Sequence, residues 1–177
     1  MMKQGHKRIS RYMLLMLIFV VATAFSSFAA LPQKADAASK KTVYCKVIRV
    51  VDGDTVILNY KGRYTRTRLI GVDTPESVSP QEYRNCKEGR IASKYTKKRL
   101  SSKTVRVVAG KDPRDKYGRL LAYIYIHKEF YNYTLVRIGY ARVMSIWPNT
   151  KYAYKFRRGQ AYAKRHDLGF WKTGYYH

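Results

Sequence analysis

Acidic side chains are scarce: eleven Asp and Glu stand against thirty-six Lys and Arg in 177 residues, for a net charge of +25 at pH 7. So large a positive field suits a polyanion such as nucleic acid, an anionic cell wall or a membrane surface, and at the least it confers solubility. Cysteine is nearly absent. Cys45 and Cys86 alone cannot build a disulfide framework. Neither has a His or Cys neighbour at zinc-ligand spacing, and sequence leaves open whether their Cα atoms come within bonding range. Histidine is equally sparse. His6 falls in the leader described below, His127 in a turn, His166 at a helix end and His177 at the last position, a scatter that argues against a histidine-ligated metal nuclease. There is no internal repeat. No long basic helix with a clean apolar face stands out either, which counts against action on membranes.

Aromatic residues are plentiful, with seventeen Tyr among them. Basic residues interleaved with rings favour a polyanion whose bases can stack, meaning single-stranded or frayed nucleic acid. The first 37 residues read as a signal peptide: Lys3, Lys7, Arg8 and Arg11, an apolar run from Tyr12 to Ala30, and the small residues of "ADA" at 35–37. An uncleaved anchor is the alternative, since residues 12–31 just reach spanning length. Either way the working part is expected outside the cytoplasm. Cleavage removes five basic residues and one acid, and leaves a charge of +21. A linker at 38–42 then leads into one domain, 43–177, long enough to bury its own core.

Within that domain "VYCKVIRVV" (43–51) alternates as a strand, and "TVILNY" follows through the tight turn Asp52-Gly53-Asp54. Lys61-Gly62 turns the chain into a third strand, 63–72, and Pro75 ends the sheet. From about Glu82 to Leu100 the period becomes helical, with Ile91, Tyr95 and Leu100 inward. Strands at 104–110 and 119–127 flank the polar "KDPRDKYG". A helix is expected around 131–138, closed by Gly139, and another from about Thr150 to Arg165. Five strands with a helix between the third and fourth is the order of an OB-fold, an α+β Greek-key barrel, here with three helices. An SH3-like barrel or an irregular α+β domain also fits the periodicity.

The few acids are not scattered. If strands two and three pair around Lys61-Gly62, residue 54 lies opposite about residue 69, so Asp54 and Asp73 fall at one end of the barrel. Glu76 follows on the loop. Two unit charges ~4 Å apart repel by roughly 4 kcal/mol at an effective dielectric of ~20, so the cluster needs a raised pKa or a cation. Hard oxygen ligands suit Ca²⁺ or Mg²⁺. Turn and cap geometry explains each acid taken singly. Arg68 and Arg119 change the balance, because a guanidinium can hold a phosphate with two hydrogen bonds.

"VVDGDT", "RLIGVDTPE" and "DKYGRLLAYIY", in this order and at these separations, resemble the staphylococcal nuclease (thermonuclease) family. The resemblance runs from about residue 43 to "LGFW". It implies an OB-fold and a secreted, Ca²⁺-dependent, sugar-nonspecific endonuclease that hydrolyses DNA and RNA to 3′-phosphate products. Under it Asp54, Asp73 and the Thr74 carbonyl bind Ca²⁺, while Asp52 serves the turn or supports the ligands. Glu76 orients or deprotonates the attacking water, Arg68 and Arg119 grip the scissile phosphate, and Lys116 and Tyr117 contact the neighbouring phosphate and nucleotide. No stable protein partner is implied, and a monomer is expected. The family's stacking tyrosines are missing from "RVMSIWPNT", where Trp147 offers a ring, or Met144 and Ile146 only apolar contact. A non-catalytic OB-fold module that binds nucleic acid is the rival reading.

Overall fold

The computed structural model describes residues 42–77 and 85–176. The expected leader, the linker up to residue 41, and His177 lie outside the described residues. Strand β1 (Thr42–Asp52) turns at Gly53-Asp54 into β2 (Thr55–Tyr60), with Asp52 opposite Thr55. Cys45 and Val47 point inward, and a register shift after Val47 brings Val50 inward in turn. A second hairpin leads into β3 (Arg63–Leu69). Its turn residues Lys61 and Gly62 have φ of 53° and 78°, the paired positive values of the turn that matches strand twist. The register then pairs Thr55 with Arg68, and the Leu69 amide donates to the Asp54 carbonyl at 2.9 Å. Asp54 therefore lies opposite residue 69, as the pattern predicts.

The expected third strand does not run unbroken to Val72. It stops at Leu69, and a separate strand β4 (Gly71–Asp73) leaves the barrel. Gly71 is the cause. Its φ of 82° is open to glycine and strained for other residues, and a Cβ there would overlap the Phe156 ring. Asn132 fixes the departure point by donating to the carbonyls of Ile70 (2.9 Å) and Ala122 (3.2 Å).

Helix α1 (Lys87–Leu100) starts later than expected, capped by the Cys86 side chain. Residues 82–84, where the pattern begins it, lie outside the described residues. Its buried face is Gly89, Ala92, Ser93, Thr96 and Leu100, while Ile91, expected inward, is 37% exposed. The helix lies too close to the barrel for a large side chain: Ala92 Cβ would sit 2.9 Å from a Cβ on Gly53. That proximity lets Thr96 Oγ1 donate to the Gly53 carbonyl at 2.7 Å, while accepting from the Tyr131 hydroxyl at 2.9 Å. A buried hydrogen-bonded chain thus pins the first hairpin.

Strand β5 (Thr104–Arg114) is longer than expected and pairs with β1; β6 (Leu120–Ile126) pairs with β5. A parallel ladder between β6 and β3, Arg68 opposite Leu121, closes the five-stranded barrel. This is the OB-fold of the sequence reading. A short β7 (Glu129–Phe130) precedes α2 (Tyr131–Arg137), and Gly139 at φ 75° follows that helix. Strand β8 (Arg142–Met144), which periodicity does not indicate, pairs with β4. Helix α3 (Ala153–Arg165) is the third. The core holds Leu58, Leu69, Val107, Ile124, Leu135 and Phe156, all essentially inaccessible; burying each such side chain stabilises by ~1.5 to 3 kcal/mol. No disulfide joins the cysteines, since Cys45 is free in this core and Cys86 is free at the α1 cap.

Candidate active site

Where β1, β2, β3 and β4 meet, four short segments bring the expected residues to one rim. Asp54 is buried at the hairpin tip. Its Oδ1 accepts from Thr55 Oγ1 at 3.0 Å, and its Oδ2 from the Thr74 amide at 2.9 Å and Thr74 Oγ1 at 3.0 Å. Arg68, one residue short of the break, is ion-paired with Asp54 and donates from Nη2 to Asp73 Oδ1 at 2.9 Å. One guanidinium thus spans both aspartates. Burial pushes it below its ordinary pKa; the charge of Asp73 opposes that shift and the charge of Arg119 adds to it.

Asp52 answers to a different need. Its Oδ1 accepts from the Gly53 amide (2.8 Å) and Ser77 Oγ (2.7 Å), and its Oδ2 from the Ser77 amide (3.2 Å). It ties the loop after β4 back to the hairpin, so one aspartate shapes the turn and the loop while the other, Asp54, faces the arginine.

Arg119 comes from the far side of the β3–β6 ladder. Asp115 holds it through the Arg119 amide (3.0 Å) and Nε (2.6 Å), and also accepts from the Tyr117 amide (3.0 Å). Burial resists the Asp115 charge, yet these hydrogen bonds and the guanidinium hold its carboxyl below the usual range. Tyr117 is 71% exposed, with Lys116 Nζ 5.1 Å and Arg119 Cζ 5.4 Å from its ring centre. Glu76 lies on the loop beyond Thr74, and its charge also reaches Arg68.

The structure gathers Asp54, Asp73, Thr74 and Arg68 tightly, with Glu76 and Arg119 electrostatically coupled to Arg68 and Tyr117 and Lys116 beside Arg119. Among the described residues no three acidic, histidine or cysteine side chains surround a single point. The expected crowd of three carboxylates is therefore not a three-acid metal cluster: Asp54 and Asp73 are bridged by Arg68, and Glu76 acts on the same guanidinium through its charge. The aspartate pair still fits a hard divalent cation, because two carboxylate oxygens already converge on one positive group.

These residues occupy a stretch that matches the family described as Staphylococcal nuclease homologue, over residues 66–173. The chain belongs to the staphylococcal nuclease family. It is 42% identical over 130 residues to the thermonuclease of Staphylococcus intermedius, covering 71% of this chain and 74% of that protein. It is 40% identical over 132 residues to the thermonuclease of Staphylococcus hyicus, covering 72% and 75%. Identity is also 40% over 141 residues to Endonuclease YncB of Bacillus subtilis, covering 77% of this chain and 65% of that protein.

Three contributors to this rim of the staphylococcal nuclease homologue escape the sequence reading. Arg142 on β8 donates from Nε to Asp73 Oδ2 at 2.9 Å, but a three-residue strand has too little pattern to detect. The Tyr176 hydroxyl donates to the Asp73 carbonyl at 3.2 Å, a contact from the other end of the domain. Asp115 was detectable: it stands four residues before Arg119 inside "DKYGR". Trp147, 80% exposed, leaves its ring presented to solvent.

Proposed function

We propose that this chain is a secreted, Ca²⁺-dependent, sugar-nonspecific endonuclease that hydrolyses DNA and RNA to 3′-phosphate products. The observation that carries the reading is the bridge from Arg68 to both Asp54 and Asp73. Family membership and the relatives named thermonuclease and endonuclease support a nuclease; the leader pattern supports export.

Asp54, Asp73 and the Thr74 carbonyl are the groups that would hold the cation. When bound, it supplies Lewis acidity and orients the substrate at the phosphorus. Arg68, here paired with both aspartates, would be free to turn to a phosphate if they held that cation. It meets Arg119 there, which Asp115 has already oriented, and together they offer hydrogen bonds to the equatorial oxygens as charge grows on phosphorus. Glu76 orients the attacking water or takes its proton. The water oxygen bonds to phosphorus, the bond to the 5′ oxygen breaks, that oxygen takes a proton from solvent to leave as a 5′-hydroxyl, and the phosphate stays on the 3′ side. Lys116 contacts the adjacent phosphate and Tyr117 stacks on the adjacent base, worth ~1 to 3 kcal/mol. Trp147 is an added stacking surface, or Met144 and Ile146 give apolar contact alone.

Digestion of plasmid and single-stranded DNA with Ca²⁺, with EGTA and with Mg²⁺ tests this. Degradation that disappears with EGTA is expected. Salt-sensitive binding without cleavage would favour the non-catalytic OB-fold module, for which the basic surface alone is sufficient.

A further inference from the structure

The loop after β4 has a second face. A cleft of about 650 Å³ opens there, and none of Arg68, Lys116, Tyr117 and Arg119 lines it. Its walls include Arg142, Lys164, Tyr175 and Tyr176, and it shares Asp73, Thr74 and Glu76 with the rim described above. Asp73 marks the boundary, because its Oδ1 faces Arg68 and its Oδ2 faces Arg142, each at 2.9 Å. The two guanidinium groups therefore stand on opposite oxygens of one carboxylate. Register holds Arg142 in place, since β4 and β8 pair it directly with Asp73.

The other walls carry complementary chemistry. Lys164, exposed near the end of α3, holds its ammonium 4.4 Å from the Trp171 ring centre. Tyr175 exposes part of its ring and packs edge-on against Tyr176 at 5.1 Å, while Tyr176 is tied to the Asp73 carbonyl. Two cations and an accessible ring in a concave site are the groups that take one phosphate and one base of a single strand. The carboxylate of Glu76 on the same wall suits a ligand whose charge is spread along a backbone better than a compact polyanion.

We propose that this cleft binds the nucleotide next to the scissile phosphate, on the side opposite Lys116 and Tyr117. Arg142 and Lys164 take its phosphate and Tyr175 stacks on its base. This rests on the nuclease reading, which puts the scissile phosphate at Arg68 and Arg119.

The test uses Lys164→Gln and Tyr175→Ala, two exposed positions outside the Asp54, Asp73, Arg68 and Arg119 cluster. Fluorescein-labelled oligodeoxythymidylates, from a mononucleotide to a decamer, are titrated by anisotropy in EGTA, and cleavage in Ca²⁺ is followed in parallel. The mononucleotide, too short to reach the cleft from the Arg68 and Arg119 site, should bind wild type and variants alike. The decamer should bind Tyr175→Ala about tenfold more weakly, the effect of one lost stacking contact. Lys164→Gln should reduce the salt slope of decamer binding by ~0.7, the effect of one lost phosphate contact on a single strand. Wild-type affinity and slope for the decamer in both variants would overturn the proposal, and so would equal weakening at every length. Should the wild type bind but cleave nothing in Ca²⁺, the nuclease reading fails while the length dependence still decides whether the cleft is a nucleotide site.

Discussion

Asp54 and Arg68 form an ion pair at the barrel rim in which both are largely withdrawn from water, with side chains 6% and 15% exposed. The pair exists because β2 and β3 set Thr55 opposite Arg68, and because Thr74 holds the aspartate from the other side. Its charge is shared, since the same guanidinium also serves Asp73.

That sharing makes Arg68 a stand-in for the cation. Losing one partner of a buried pair costs ~3 to 5 kcal/mol, because the other charge is left uncompensated. Arg68→Ala should unfold more readily in EGTA by about 3 kcal/mol, and should gain more stability from Ca²⁺ than wild type does. Urea denaturation with and without Ca²⁺ measures both; identical Ca²⁺ gains would contradict the idea. Turnover of Arg68→Ala, and of Arg119→Ala, should fall by about two to three decades.

Asp115 predicts an acid-side effect. Its folded pKa is depressed below 3.8, with burial outweighed by the hydrogen bonds and charge of Arg119. A group of that kind stabilises the fold above its unfolded pKa, and the contribution is lost as pH falls through the folded value. Asp115→Asn should therefore be less stable than wild type at neutral pH, with the gap closing as pH drops below the carboxylate range. A gap that persists unchanged in strong acid would show that the charge is not its source.

Glycine substitutions separate strain from crowding. Gly71 and Gly62 both have positive φ, but a Cβ on Gly71 meets Phe156 whereas nothing lies within 4 Å of one on Gly62. Gly62→Ala should cost ~1 kcal/mol, the backbone strain alone. Gly71→Ala adds overpacking, for a total of ~3 kcal/mol or more. Chemical denaturation of the two variants gives the comparison, and equal losses would remove Phe156 from the explanation.

The cysteines give a chemical check. Cys45 is buried in the barrel, where burial raises its thiol pKa, and Cys86 is partly accessible. A thiol reagent should label Cys86 in the native protein and Cys45 only on unfolding, and reductant should leave stability unchanged. Absence of any free thiol would mean that the two residues are bridged.

Much of the site is legible in the sequence for one reason: a two-residue turn between alternating strands fixes register, and register places Asp54 beside Leu69 and Arg68. What stays hidden depends on distant packing. "RLIGVD" looks continuous, and only Phe156 beneath Gly71 and the reach of Asn132 to Ile70 break it. Ile91 looks like a core residue, but the helix approaches Gly53 so closely that small side chains must face the barrel. Arg142 and Tyr176 reach Asp73 from segments whose local pattern says nothing of a carboxylate.

The central claim is that a cation at Asp54 and Asp73 and a phosphate at Arg68 and Arg119 share one site. The most direct test is calorimetric titration of Ca²⁺ with and without a cleavage-resistant phosphorothioate oligonucleotide. Sites that share a phosphate must be coupled, and the coupling must be reciprocal. The account predicts that each ligand tightens the other's binding by at least about tenfold, and that Arg119→Ala and Asp54→Asn each abolish the coupling. Independent binding of the two ligands would contradict it.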